Sequence, residues 1–184
     1  MSGIGHNGGP TMDKGRGWRR YAWTRARAEL LPKMPIEVVR RRVKRARELG
    51  LDYKAYAGIR AATGRDVIAL LFSDNALRLM ADARMPANRA AHLQALRDAE
   101  CLALVHPPAA PALVLARNSE LAKADLAPGI TATWPDIRAR VQALKGTLPA
   151  DGVVVIGETW LERDWCEAAR LAGYLSAERY FAAP

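Results

Sequence analysis

Three polar residues stand where acid–base chemistry is easiest to build, each just after a short hydrophobic run. Asp74 follows Val67 to Phe72, within Ser73-Asp74-Asn75. His106 follows Cys101 to Val105, and Glu158 follows Val153 to Ile156, within Gly157-Glu158-Thr159. Two carboxylates and an imidazole at one edge could supply an acid and a base. No cofactor or metal is expected; the alternative is magnesium held by Asp74 and Glu158. The same residue types also cap helices, so Asp74, Asn75 and Thr159 each have a purely architectural reading. The remaining reactive side chains are poor candidates. Cys101 and Cys166 read as buried small hydrophobes, and two cysteines cannot build a four-cysteine zinc site. His92 reads as a packing residue beside Leu93 and Leu96, and His6 as a solvated tail residue. A Walker-type phosphate loop, a His-Glu-x-x-His pair and a Gly-x-Ser-x-Gly elbow are all absent from the sequence.

A second chemistry lies in the charge. The 184 residues carry 28 Lys and Arg against 19 Asp and Glu, a net +9. Residues 1–66 hold 16 basic and 6 acidic side chains, whereas residues 67–184 hold 12 and 13. The whole excess is therefore segregated at one end, which suggests a face made to meet an anion. Most of these cations are arginines, suited to bidentate phosphate contacts. The candidates for gripping nucleic acid are Arg19, Arg20, Arg25, Arg40, Arg41, Lys44, Arg45, Arg47, Lys54 and Arg60. Trp18, Tyr21 and Trp23 interleave with arginines, either to stack on bases or to anchor a helix.

Local pattern says which elements must position these groups. Residues 1–15 are glycine-rich and read as a flexible leader; residues 16–65 as a basic helical region; residues 66–184 as an α/β domain. Within the basic region, helices are expected from Trp18 to Leu31, from Pro35 to Gly50 and from Tyr53 to about Ala62. Ile36, Val39, Val43 and Ala46 form an apolar stripe on the second of these, opposite Arg41, Lys44 and Arg45. This pair of helices resembles a helix-turn-helix, in which Tyr53, Lys54 and Arg60 would face the bases. Beyond it, Val67–Phe72, Cys101–Val105 and Val153–Ile156 read as buried strands. Helices are expected over 75–84, 87–99, 133–146 and 160–172, with Gly173 as a stop and a last turn from Ser176 to Phe181. Residues 112–125 stay open between a helix and a strand followed by a helix. The alternation implies an α/β fold: a basic helical segment, then a small Rossmann-like parallel sheet with flanking helices.

Two resemblances add to this. Ile4-Gly5-His6-Asn7 resembles the leader of small alphaproteobacterial and phage-derived proteins, some of them DNA-binding. The run Val153 to Glu158, through Asp164 to Ala168-Ala169-Arg170-Leu171-Ala172-Gly173, resembles the last motif of haloacid-dehalogenase-like phosphohydrolases. That resemblance implies a Rossmann-like scaffold with degenerate machinery. Glu158 stands for the usual aspartate, and the nucleophilic aspartate would fall at Ser73 or earlier.

The function expected is nucleic-acid binding, DNA first, by a regulatory or phage-derived protein that is not an enzyme. One alternative is a small phosphohydrolase or nucleotide-processing enzyme using Asp74, His106 and Glu158. Another is an interaction module docking on an acidic partner. No apolar run reaches the roughly 18 residues of a membrane helix, so a cytoplasmic protein without a membrane partner is expected, with homo-oligomerisation left open.

Overall fold

The computed structural model describes residues 34–182. The described residues from Val39 onward form one compact unit, and Met34–Val38 belong to another. The expected helix from Trp18 to Leu31 lies outside the described residues.

Eight helices and a five-stranded parallel sheet are described. α1 (Ile36–Glu48) and α2 (Tyr53–Thr63) come first. β1 (Ala69–Ser73) leads into the one-turn α3 (Asp74–Leu77), and α4 (Ala87–Gln94) precedes β2 (Glu100–Val105). Next come α5 (Pro111–Arg117), β3 (Lys123–Leu126) and α6 (Trp134–Lys145). The chain ends with β4 (Val153–Gly157), α7 (Trp160–Ala168), β5 (Gly173–Ser176) and α8 (Ala177–Ala182). The strand order is β3-β2-β1-β4-β5, all parallel. This is a small Rossmann-like α/β fold, as the alternation of patterns implies.

β1 is the central strand, with Leu71 opposite Leu102 of β2 and Val155 of β4. Its side chains alternate between two cores because successive residues of a strand face opposite ways. Leu70 and Phe72 join Cys101, Ala103, Val154 and Ile156 in one core, which Ala46 of α1, Leu49 of the turn and Tyr56 of α2 enter. Ala69 and Leu71 join Leu102, Leu104, Val153 and Val155 in the other, covered by Ile137 and Val141 of α6 and Trp165 of α7. Burial on both faces explains why these strands read as unbroken apolar runs.

Several expected elements are shorter than the sequence implies. The helix expected over 75–84 stops at Leu77, where Arg78 turns left-handed at φ 51° and its N–H closes on Asp74 and Asn75 carbonyls. The loop that follows is held by buried Asn118. Its Oδ1 accepts from the Met85 N–H at 2.9 Å, and its Nδ2 donates to the Ala83 and Val114 carbonyls. The helix expected over 87–99 ends at Gln94, which leaves the Arg97 and Asp98 carbonyls to bind Arg45. The helix expected over 160–172 ends at Ala168, and Gly173 opens β5 instead of merely stopping a helix. Over residues 112–125 neither expected alternative forms: the helix α5 comes first and the edge strand β3 follows it. The helix starting at Thr133 forms as expected, with a reciprocal Thr133–Asp136 capping box.

Gly50 ends the turn between α1 and α2 at φ +64°, and a Cβ there would lie 2.5 Å from His92 Nε2. Both the left-handed backbone and the contact require glycine.

Candidate functional site

The order β3-β2-β1-β4-β5 reverses direction at β1, because β2 and β3 extend to one side of it and β4 and β5 to the other. In open parallel sheets the crevice at the carboxyl ends beside such a reversal is where ligands bind. Asp74, His106 and Glu158 follow β1, β2 and β4, so all three belong to neighbouring strand ends.

Two of them meet. His106 Nδ1 and Asp74 Oδ1 are 2.8 Å apart, with the His106 ring tilted toward Trp165 at 6.0 Å between centroids. The pair stands between two clefts. A small one of about 80 Å³ is walled by Ile130, Trp134, Trp160, Asp164 and Trp165 beside His106. A larger one of about 310 Å³ is lined by Asp74, Leu79, Met80, Pro108 and Leu113, again with His106. With Nδ1 occupied by a carboxylate, Nε2 is the nitrogen left to exchange a proton with a ligand in either cleft. The arrangement suits a general base. Ser73 is fully buried and its Oγ accepts the Ala76 N–H, and Cys101 and Cys166 are buried thiols, so none of these three is placed to act as a nucleophile there.

The third residue is turned elsewhere. Glu158 Oε1 faces Arg78 Nε at 3.8 Å. Asp74 is engaged by His106, Glu158 by Arg78, and among the described residues no group of three or more His, Cys, Asp or Glu is placed to hold a metal ion. Glu162, which the sequence reading passed over, ties the same edge together. It is fully buried; its Oε2 accepts the Glu158 and Thr159 N–H groups, and its Oε1 accepts from Asn75 Nδ2 at 2.9 Å. Its place at the third position of α7 after Thr159 was the available signal, since that is where a helix-start carboxylate returns to the chain.

The cations of the helical pair divide into two sets. Arg41 and Arg47 are exposed on α1, with Arg40 also exposed; Lys54 is exposed on α2. Lys44 is exposed as well, its side chain 81% open, and it reaches Glu48 at 3.7 Å. Arg45 and Arg60, expected in the gripping set, face inward. Arg45 donates from Nε to Asp66 at 2.9 Å, from Nη1 to the Arg97 carbonyl, and from Nη2 to the Val67 and Asp98 carbonyls. Arg60 lies 3.7 Å from Asp66, which also accepts from the Tyr56 hydroxyl at 2.8 Å. Burial, and then the Asp66 carboxylate, push the Tyr56 phenol above its ordinary value. The physical reason is that Arg45 borders the packed stripe, so its long side chain can curl under the helix to unsatisfied carbonyls. Tyr53 and Arg60 are half-buried. Arg19, Arg20 and Arg25 lie outside the described residues, as do Trp18, Tyr21 and Trp23.

No helix of the described residues is long and apolar enough to cross a membrane. No family model matches this sequence, and no curated protein or solved structure matches it.

Proposed function

We propose that this protein binds nucleic acid, DNA in the first instance, by laying the outward face of α1 along the phosphate backbone. The observation that carries this reading is the exposed cationic row of Arg40, Arg41, Lys44 and Arg47 on a helix whose opposite face is packed through Ala46. Backbone contacts of this kind position a protein without reading sequence. Their affinity comes from counterion release and is steeply salt-dependent. Four phosphate contacts give a loss of about 100-fold between roughly 50 and 200 mM salt.

Fluorescence anisotropy of a labelled duplex with the full chain tests this, comparing wild type with the Arg41→Glu, Arg47→Glu double variant. The expected result is a steep salt dependence and at least a ten-fold weakening, about 1.4 kcal/mol, in the variant. Affinity unchanged by salt or by the charge reversal would remove the reading. A pull-down abolished by nuclease supports it, whereas one that survives nuclease favours an acidic protein partner.

A second reading rests on the hydrogen-bonded Asp74–His106 pair between two clefts: a small hydrolase acting on a phosphoester or nucleotide, with His106 activating water. Hydrolysis of generic phosphoesters, lost in both Asp74→Asn and His106→Asn, is its test. Turnover that persists in both variants excludes these residues.

A further inference from the structure

Arg89, like His92 one turn on, is a buried side chain whose surroundings leave a nitrogen unpaired. It is the third residue of α4 and only 6% exposed, yet its Nη1 is buried without a hydrogen-bond partner. The guanidinium lies over Phe181, with Cζ 3.5 Å from the ring centroid, and Phe181 leans on Phe72 of β1. A ring satisfies only the face of a guanidinium. The donors lie in the plane of the group, and a buried donor left unmade is unfavourable.

Arg89 interacts electrostatically with His92, one turn on in α4, and with two groups beyond its own helix: Arg78, just past α3, and Glu158, which follows β4. Both belong to the edge where the strand order reverses. Burial first, and then the neighbouring Arg78, hold the guanidinium below arginine's ordinary value. Glu158 does not resolve the deficit, because its carboxylate pairs with Arg78 at 3.8 Å. A cation so enclosed is poorly placed to reach a duplex backbone, so its partner is a small ion or one end of a small ligand.

We infer that Arg89 forms the floor of an oxyanion subsite in the crevice between the carboxyl ends of β1 and β4, with Arg78 as the outer cation. The ligand is a small molecule bearing a phosphate or carboxylate group whose oxygens meet the guanidinium in its plane. Glu158 competes for Arg78 and repels the incoming anion. The subsite stands independently of the nucleic-acid reading.

The experiment uses the full chain, labelled with ¹⁵N-arginine, and two probes, inorganic phosphate and acetate, each titrated at constant ionic strength with chloride as the balance. The readouts are the Arg89 Nε–H resonance, identified by its loss in Arg89→Lys, and the unfolding temperature. The expected result is a saturable shift and a rise in unfolding temperature with one of the probes. Phosphate binding alone assigns a phosphoryl ligand, and acetate binding alone a carboxylate. Arg89→Lys should abolish the thermal effect, Arg78→Ala should weaken binding several-fold, and Glu158→Gln should strengthen it. The Arg41→Glu, Arg47→Glu variant should leave it unchanged, which separates this subsite from the surface of α1. Should Arg89→Lys not fold, the opposite effects of Arg78→Ala and Glu158→Gln decide the matter. The proposal is overturned if neither anion gives a saturable shift up to tens of millimolar. It is equally overturned if the midpoint is the same in Arg78→Ala, Glu158→Gln and wild type.

Discussion

Replacing Arg45 with methionine keeps the aliphatic stem and removes four hydrogen bonds at once. Two of these, to Asp66 and the Val67 carbonyl, are half-buried; the other two, to the Arg97 and Asp98 carbonyls, are open to water. A bond to a charged group contributes roughly 1.5 kcal/mol where water is excluded and about 0.5 kcal/mol or less where it can re-enter. The sum puts the loss near 3–4 kcal/mol in order of magnitude. Arg41→Met, on the exposed face of the same helix, should change stability by no more than about 0.5 kcal/mol. Urea unfolding followed by circular dichroism separates the two, since at about 2 kcal/mol per molar the Arg45 midpoint should fall by roughly 1.5–2 M. The duplex assay completes the contrast, because Arg41→Met should weaken DNA binding and leave the urea midpoint in place. If the two variants shift the midpoint equally, the division of the helix into anchoring and outward cations is mistaken.

Three more outcomes follow from the same geometry. Gly157→Ala would place a Cβ 2.7 Å from Glu162 Oε2 and 2.9 Å from both Glu162 Cβ and Tyr174 Cε2, and should cost about 1–3 kcal/mol in urea melts; a neutral result would mean that the strand end relaxes freely. Burial pushes the Cys101 thiol up to about 12 and the Cys166 thiol up to about 11, so neither should react with a thiol-exchange reagent at mildly alkaline pH until denaturant is added. Rapid labelling of the native chain would contradict that burial. Burial first, and then Arg89, hold the His92 imidazole below its ordinary value, so the unfolded chain takes up this proton before the folded one. The stability His92 contributes is thus full above about pH 6.5 and is lost as pH falls through the lower folded-state value. The decline in urea midpoint from about pH 7 to 5 should be shallower in His92→Gln, and identical slopes would count against it.

The three central strands were legible because both their faces are buried, which writes apolar runs such as Val153 to Ile156 into the chain. The edge strands were not. Lys123-Ala124-Asp125-Leu126 is short and largely open to solvent, and Gly173-Tyr174-Leu175-Ser176 begins with the residue that also signals a helix stop. The helix expected after β1 carried a plausible apolar pattern, but its length was decided by a left-handed Arg78 and by Asn118, residues whose effect is tertiary. The neighbouring placement of Asp74 and His106 could be read from strand ends, whereas their contact depended on β1 and β2 being paired. Glu162 and Arg89 drew no expectation, because their burial is imposed by other elements of the fold. For Arg89 the missed signal was its partner one turn on, Leu93, which shares its buried face.

The hub at Asp66 has a consequence for how the molecule meets a long polymer. Arg45, Tyr56 and Arg60 converge on a residue three positions ahead of the central strand, so the anchored part of the helical pair has no pivot of its own. A filament lying on α1 would meet the sheet at a set angle instead of through a swinging arm. The bulk of the domain would then shield a fixed stretch to one side of the contact. An asymmetric footprint in a cleavage-protection experiment is the visible trace of that rigidity.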